Sequence, residues 1–560
     1  MTASSRVTAP VAASHDGTPL PTYSRTAVLL AGVLVPVLQL LQSFAALLLL
    51  PGFWRFYADP PYMYLFNSLS LGTGLTPQHV DHPGTSLQWL MAGIEHGTYW
   101  IAGSQESLPT DVAFQPELYL TMTGVVLAVL FGASCAYFGV AVVRSFGSVP
   151  GVVAGAVILA GSGLTVPWIV TATPEALVAT CAMLIVAALA PTVKDRSEQP
   201  SWARLSLIAV IFAVAVTAKI TVLPLAVLFL FVLSWRKVVG GVAVAGFTSA
   251  LILLPVFALL PRMFGWFTNL ARSTGRYGGE SPTSLSTNVV TGLQTVTSEY
   301  ILTWIVLIAL GVALVVNVRL NKGPSTVLPI LGVGATIAAT LAVSFKESTD
   351  RDFIILIALV PLGAALSLSR LSDAWSLGSD DGRKRASLIG KLSLGVVLVF
   401  VLVGNANSFG ELREIRSQSE REVAAMEVAS DVDGTVVHSF LARNEFYPLM
   451  LGSEWAYHPY SDRILQRFPG NLYFNPFLST VFGTKADGSV GYLDCRDLGP
   501  LADSGQLTFV LPGDHSTGGP LETTEIVLQD GSVLGVDQAR VRVIADSLST
   551  MPISGCKAST

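Results

Sequence analysis

The sequence predicts a polytopic α-helical membrane protein that carries a small C-terminal α/β domain. Three observations predict it. Of 560 residues, 51% are apolar and only 13% are charged, at a mean hydropathy of +0.59; a soluble protein carries about a quarter charged residues. Apolar runs close to the roughly 20 residues that span lipid recur as far as residue 404. Charge then divides the chain. Residues 405–560 hold 11 Lys and Arg against 20 Asp and Glu, a net of −9, and the remainder carries a net of +4.

Residues 1–25 are rich in Ala, Ser, Thr and Pro and read as a disordered cytoplasmic tail. Apolar segments follow at about 26–50, 117–143, 149–166, 170–192, 204–218, 220–235, 238–260, 300–317, 325–344, 353–369 and 388–404, giving about eleven transmembrane helices over 26–404. The first run is too long and too late for a cleavable signal. With eleven crossings, Arg144, Lys194/Arg196, Arg236–Lys237, Arg319/Lys322 and Arg383–Lys384–Arg385 share one side, the cytoplasm by the positive-inside rule. The N-terminus is then inside a bacterial-type cell membrane. The loops 51–116 and 261–299 and the domain 405–560 are outside.

Two features strain this scheme usefully. Arg262, Arg272, Arg276, Lys346 and Arg351 fall outside, against the rule, and anion binding there is one reason for cations on that side. About 31 residues separate Arg204 from Arg236, where two full spans need roughly 40. Either one long helix runs through, or two short helices turn near Ala218–Lys219; short segments are tolerated where they line a cavity. The loop after Pro261 reads either as an interfacial helix, with Phe264, Trp266 and Phe267 at the headgroups, or as a plain connection with belt aromatics.

The C-terminal part begins with a charged helix at 408–430. Short β-rich runs follow at 435–440, 507–511, 525–528 and 540–544, with Asp–Gly turn signals between them. It shows no nucleophile elbow and no phosphate-cradling glycine loop. Cys495 and Cys556 lie here and could pair if the domain is outside. Cys135 and Cys181 sit in apolar segments. No basic stripe interleaved with aromatics points to nucleic acid.

Chemistry concentrates between Trp54 and Gln88, a stretch too polar to cross a bilayer, with Asp59, Asp81, His79, His82 and four prolines. Asp59 follows the first span by about nine residues, where a carboxylate can act as general base toward an acceptor hydroxyl; it equally suits an Asp-Pro turn. Asp81–His82–Pro83–Gly84 reads as a turn leading into a helix. Neither loop carboxylates nor histidines make a specific metal-ligand set, so no cofactor is certain and participation of a divalent metal, which nothing supports, stays open.

Together the two clusters resemble the large GT-C glycosyltransferases, most like the family-39-type branch of protein O-mannosyltransferases and lipid A aminoarabinose transferases. Asp59 stands where that family has its first-loop catalytic aspartate. Leu75–Thr76–Pro77 and His82–Pro83 stand where the loop returns as "W-x-x-P … (H/K)-P-P-L", with Gly84 in place of the second proline. Thr173–Pro174–Glu175, Ala218–Lys219–Ile220–Thr221 and Lys346 through Arg351 ahead of Phe353–Ile354–Ile355–Leu356 are looser matches.

The resemblance implies transfer of a sugar from a polyprenyl-phosphate donor on the outer membrane face, with Asp59 as base. Lys219, Lys346, Arg351, Arg272 and Arg276 would hold the donor phosphate, and Asp81, His82 and Glu175 the sugar or acceptor. The sugar and the acceptor stay open. A transporter or flippase of a lipid-linked saccharide is the alternative reading, though no internal repeat supports it; a membrane anchor presenting the C-terminal domain ranks third.

Overall fold

The computed structural model describes residues 24–49, 61–81, 84–272, 285–298, 300–345 and 350–376, scattered positions between 395 and 420, and then 435–438, 445–475, 478–512, 525–536, 542–545 and 548–557. Everything below concerns these residues. The protein is a multi-span helical membrane protein with a C-terminal mixed-sheet domain.

The apolar runs become helices as their length and composition require. Six helices are each long and apolar enough to span a bilayer: α1 (Arg25–Leu49), α5 (Pro116–Phe146), α7 (Pro174–Lys194), α13 (Ile301–Arg319), α14 (Pro324–Ser344) and α15 (Leu356–Ser376). Between them lie α6 (Ser148–Val170), α8 (Trp202–Ala218), α9 (Leu225–Val232) and α10 (Trp235–Ile252). The eleventh expected segment, 388–404, falls almost wholly outside the described residues. In α5, glycines allow close helix approach, as small residues do in lipid. A Cβ at Gly139 would lie 2.0 Å from Ala31 O of α1, and one at Gly124 would lie 2.3 Å from Val170 O of α6.

The expected single span at 238–260 is bent. Pro255 lacks the N–H that would continue the helix, and the chain turns by 84° between α10 and the helix after it. That helix, α11 (Leu260–Arg272), buries Met263 with Val80 and leaves Phe264 exposed, so the loop after Pro261 is an amphipathic helix. α12 (Leu285–Ser298) follows.

The stretch between the first two spans is more ordered than an exposed loop. It forms α2 (Pro61–Gly72), α3 (Thr85–Ala102) and α4 (Leu108–Phe114). Every residue of α2 from Pro61 to Ser70 is buried, because α3 covers one side and the sheet domain the other. The cover is α16 (Phe446–Glu454), whose Gly452 lies so close that a Cβ would sit 2.5 Å from Tyr62 O. Asn67 ties the layers together. Its Nδ2 donates to Met63 O and, across the interface, to Trp455 O at 3.2 Å; its Oδ1 accepts from the N–H groups of Gln78 and His79 at 2.6 and 2.9 Å. Tyr460 stacks on Phe66 at 5.5 Å.

The sheet domain holds β1 (Thr435–His438), α16, α17 (Ser461–Arg467), β2 (Asn471–Asn475), β3 (Thr480–Thr484), β4 (Val490–Leu493), α18 (Cys495–Asp503), β5 (Leu507–Pro512), β6 (Glu525–Val527), β7 (Val533–Val536), β8 (Arg542–Ala545) and β9 (Leu548–Lys557). Strand order is β4-β3-β2-β1-β5-β9-β7-β6, with β8 also on β9. β1 runs parallel to β2 and β5, and the other pairs are antiparallel. Cys495 and Cys556 form a disulfide between α18 and β9.

Gly452→Val will force two methyl groups against Tyr62, an overpacking cost of about 1–3 kcal/mol. We expect a lower thermal midpoint and faster proteolysis between the helices and the sheet, read by differential scanning fluorimetry and limited trypsin digestion.

Candidate active site at a broken helix

Between α8 and α9 the chain breaks at Lys219, as the shortage of residues there anticipates. Its backbone is extended (φ −154, ψ 127), a 3₁₀ turn runs over Ile220–Val222, and Pro224 precedes α9. The side chain is buried, and a lysine ammonium removed from water needs partners. It has two: Nζ lies 2.8 Å from Glu175 Oε1 and 2.9 Å from Asp352 Oδ1. Glu175 is in the first turn of α7 after Pro174, where a carboxylate also faces the positive end of the helix. Asp352 stands in a 3₁₀ turn ahead of α15, fixed by Ser344 Oγ donating to its carbonyl at 2.8 Å. Arg351, half-buried beside it, is near enough for its charge to act on Glu175 and Lys219. Two cations and two anions thus meet where three helical segments end.

The return of the first loop docks onto the same break. Gly84 N donates to Ala218 O at 3.1 Å, and Ser86 Oγ donates to Val214 O at 2.8 Å. Gly84 has φ +64, and a Cβ there would fall 2.4 Å from the Tyr64 ring. Proline, which the resembling family has here, offers neither that φ nor an N–H. Asp81, just before, is mostly buried and lies 3.7 Å from Arg262 of α11; burial raises its carboxyl above the usual range while Arg262 opposes the rise. His79 packs edge-on to Tyr64 and Trp455, and burial, then the Arg262 charge, lowers its imidazole to about 4. It is neutral at physiological pH.

Beside the break, α8, α9 and α10 enclose an apolar groove of about 310 Å³. It extends from Val216 and Leu223, which flank Lys219 in the chain, past Phe212 and Phe229 to Lys237.

The structure therefore gathers Lys219, Glu175 and Arg351, with Asp81 on the loop that packs against them. Lys219, expected at a donor phosphate, has its charge met by two carboxylates. Arg272 is exposed on the last turn of α11 and makes no ion pair with the cluster. Asp59, His82, Arg276 and Lys346 lie outside the described residues.

Reading the sequence alone missed Asp352, although an ionisable residue entering an apolar run was signal enough. It also passed over Glu95 of α3, fully buried and hydrogen-bonded by Ser68 Oγ, whose carboxyl burial pushes well above the usual range. Among the described residues no three His, Cys, Asp or Glu side chains group to hold a metal ion.

Spanning helices, interposed loop helices and a C-terminal mixed-sheet domain follow one another here in the same fold as a solved membrane protein. Specifically, the chain is similar to ArnT from Cupriavidus metallidurans. It matches that protein bound to undecaprenyl phosphate with a TM-score of 0.52 and 14% identity over 93% of this chain and 97% of that one. The apo state matches at 0.50 and 13% identity over 91% and 97%. At this identity the likeness is one of fold. No family model and no curated protein matches the sequence.

Lys219→Met will leave two carboxylates buried without their cation, a loss of about 3–5 kcal/mol. Adding Glu175→Gln and Asp352→Asn to it removes the stranded charges, so the triple variant should melt above the single one in the same detergent.

Proposed function

We propose that the protein is a glycosyltransferase that moves a sugar from a polyprenyl-phosphate donor to an acceptor hydroxyl. The observation that carries this reading is a buried ion cluster at the head of an apolar groove, in a fold that in ArnT accommodates undecaprenyl phosphate. A lipid phosphate at Arg351 directs its tail along Val216 and Leu223 into that groove. Lys219 holds Glu175 and Asp352 in place, and Glu175 offers its second carboxylate oxygen to sugar hydroxyls.

Asp59 takes the proton of the acceptor hydroxyl as its oxygen bonds to the sugar carbon and the bond from that carbon to the phosphate oxygen breaks. The departing phosphate carries the negative charge, which Arg351, Lys346, Arg272 and Arg276 stabilise. Asp81 and His82 bind the sugar or acceptor.

The reaction side is the outer face of the cytoplasmic membrane. The Cys495–Cys556 disulfide supports this, since such bonds persist in oxidising compartments, and so does the Lys and Arg distribution over the loops. Ser504 is exposed on the sheet domain. In intact cells a membrane-impermeant maleimide should label Ser504→Cys without permeabilisation; labelling only in opened cells would reverse the orientation.

The chemical test pairs two variants. Asp59→Asn keeps size but cannot accept the proton, so turnover should fall by roughly 10²–10⁴ with normal expression and unchanged undecaprenyl-phosphate binding. Arg351→Ala should weaken lipid binding itself. Full transfer by Asp59→Asn would take the base role from that residue, and lipid binding with no transfer by the parent protein would favour lipid transport instead.

A further inference from the structure

The end of α16 is built in a costly way. Tyr457 N donates to Glu454 O at 2.8 Å and His458 N to Ser453 O at 2.7 Å, the paired bonds of a Schellman ending. The residue that closes such an ending takes a left-handed conformation, and glycine is usual there. Here it is Tyr457 at φ 64, followed by His458 at φ 61, both with side chains that disfavour this region. Packing does not account for the tyrosine, which is 67% exposed. Strain held at an exposed aromatic points to a use for its ring.

The neighbours give that use a direction. Tyr457 OH is 3.4 Å from Arg262 Nη1, and Arg262 reaches Asp81 on the return loop. On the other side the His458 ring stacks on Phe482 at 4.0 Å, with planes 6° apart, and its Nε2 lies 3.2 Å from Tyr492 OH. Tyr492 stands half-exposed on the edge strand β4. Asp81, Arg262, Tyr457, His458 and Tyr492 thus form one continuous line from the candidate active site to the rim of the sheet.

The chemistry of the line selects its occupant. Exposed aromatic faces accept the C–H face of a sugar ring, while guanidinium, carboxylate and phenol groups accept and donate to its hydroxyls. A polyanion would want cations free of carboxylates, but Arg262 faces Asp81. We propose that this line docks the acceptor as a neutral carbohydrate chain, with sugar rings on Tyr457 and Tyr492 and hydroxyls at Arg262 and Asp81. The proposal rests on the glycosyltransferase reading for the word acceptor; the docking surface itself does not.

The test uses full-length protein in lipid nanodiscs. Linear hexasaccharides of glucose, mannose and galactose are titrated by saturation-transfer NMR, and undecaprenyl phosphate binding is followed separately by native mass spectrometry. At least one hexasaccharide should bind. Tyr457→Gly and Tyr492→Ala should each weaken it roughly tenfold, the scale of one aromatic contact, and leave the lipid bound. Glycine suits the left-handed position, so Tyr457→Gly should melt at or above the parent protein. A lower midpoint with saccharide binding intact makes Tyr457 structural and overturns the proposal, as does failure of all three saccharides to bind. Tyrosine-dependent saccharide binding without any lipid binding upholds the surface and sinks the glycosyltransferase reading.

Discussion

A lysine clamped between two carboxylates is the constraint around which this molecule is arranged. Lys219 stands at the break between α8 and α9, and its ammonium is removed from water. Such a charge is tolerated only when opposite charges come to it, so the starts of α7 and α15 must converge on the break. The same break exposes the carbonyl of Ala218, which the return loop satisfies through Gly84. One misplaced helix end would leave an unpaired ion or an orphan carbonyl. The geometry of the site and the packing of the bundle are therefore one problem.

Much of this was legible in the sequence. Apolar length and cation placement reveal a multi-span protein, and the short distance between Arg204 and Arg236 reveals the break at Lys219. Glu175 and Arg351 stand out because charged groups at the edges of apolar runs are expensive. The burial of α2 was not legible. Its enclosure comes from segments apart in the chain, α3 on one side and α16, packed on Tyr62 and Phe66, on the other. Strands β2, β3, β4, β7 and β9 were missed because short strands partnered by distant segments carry little local pattern. Tyr457 escaped for a related reason, since a left-handed tyrosine is a property of the fold around it.

Gly84 shows how a departure from a family pattern can be read physically. The position donates an N–H, takes a positive φ and lies against Tyr64, and proline meets none of these demands. The substitution is thus tied to how this loop sits on the helix break. The catalytic roles proposed for the loop need not change with it.

β9 follows every other described strand in the chain, yet it lies inside the sheet, between β5 and β7, and carries Cys556. The half built on β1 to β5 and the half built on β6 and β7 meet only through it among the described strands. Synthesis must therefore reach residue 557 before the two halves can join, by which time the membrane helices have long been made. The part of the domain that seals α2 depends on α16 and β2, which belong to the earlier half. Assembly can thus proceed in two stages, with the loop helices covered first and the sheet locked afterwards by its latest strand.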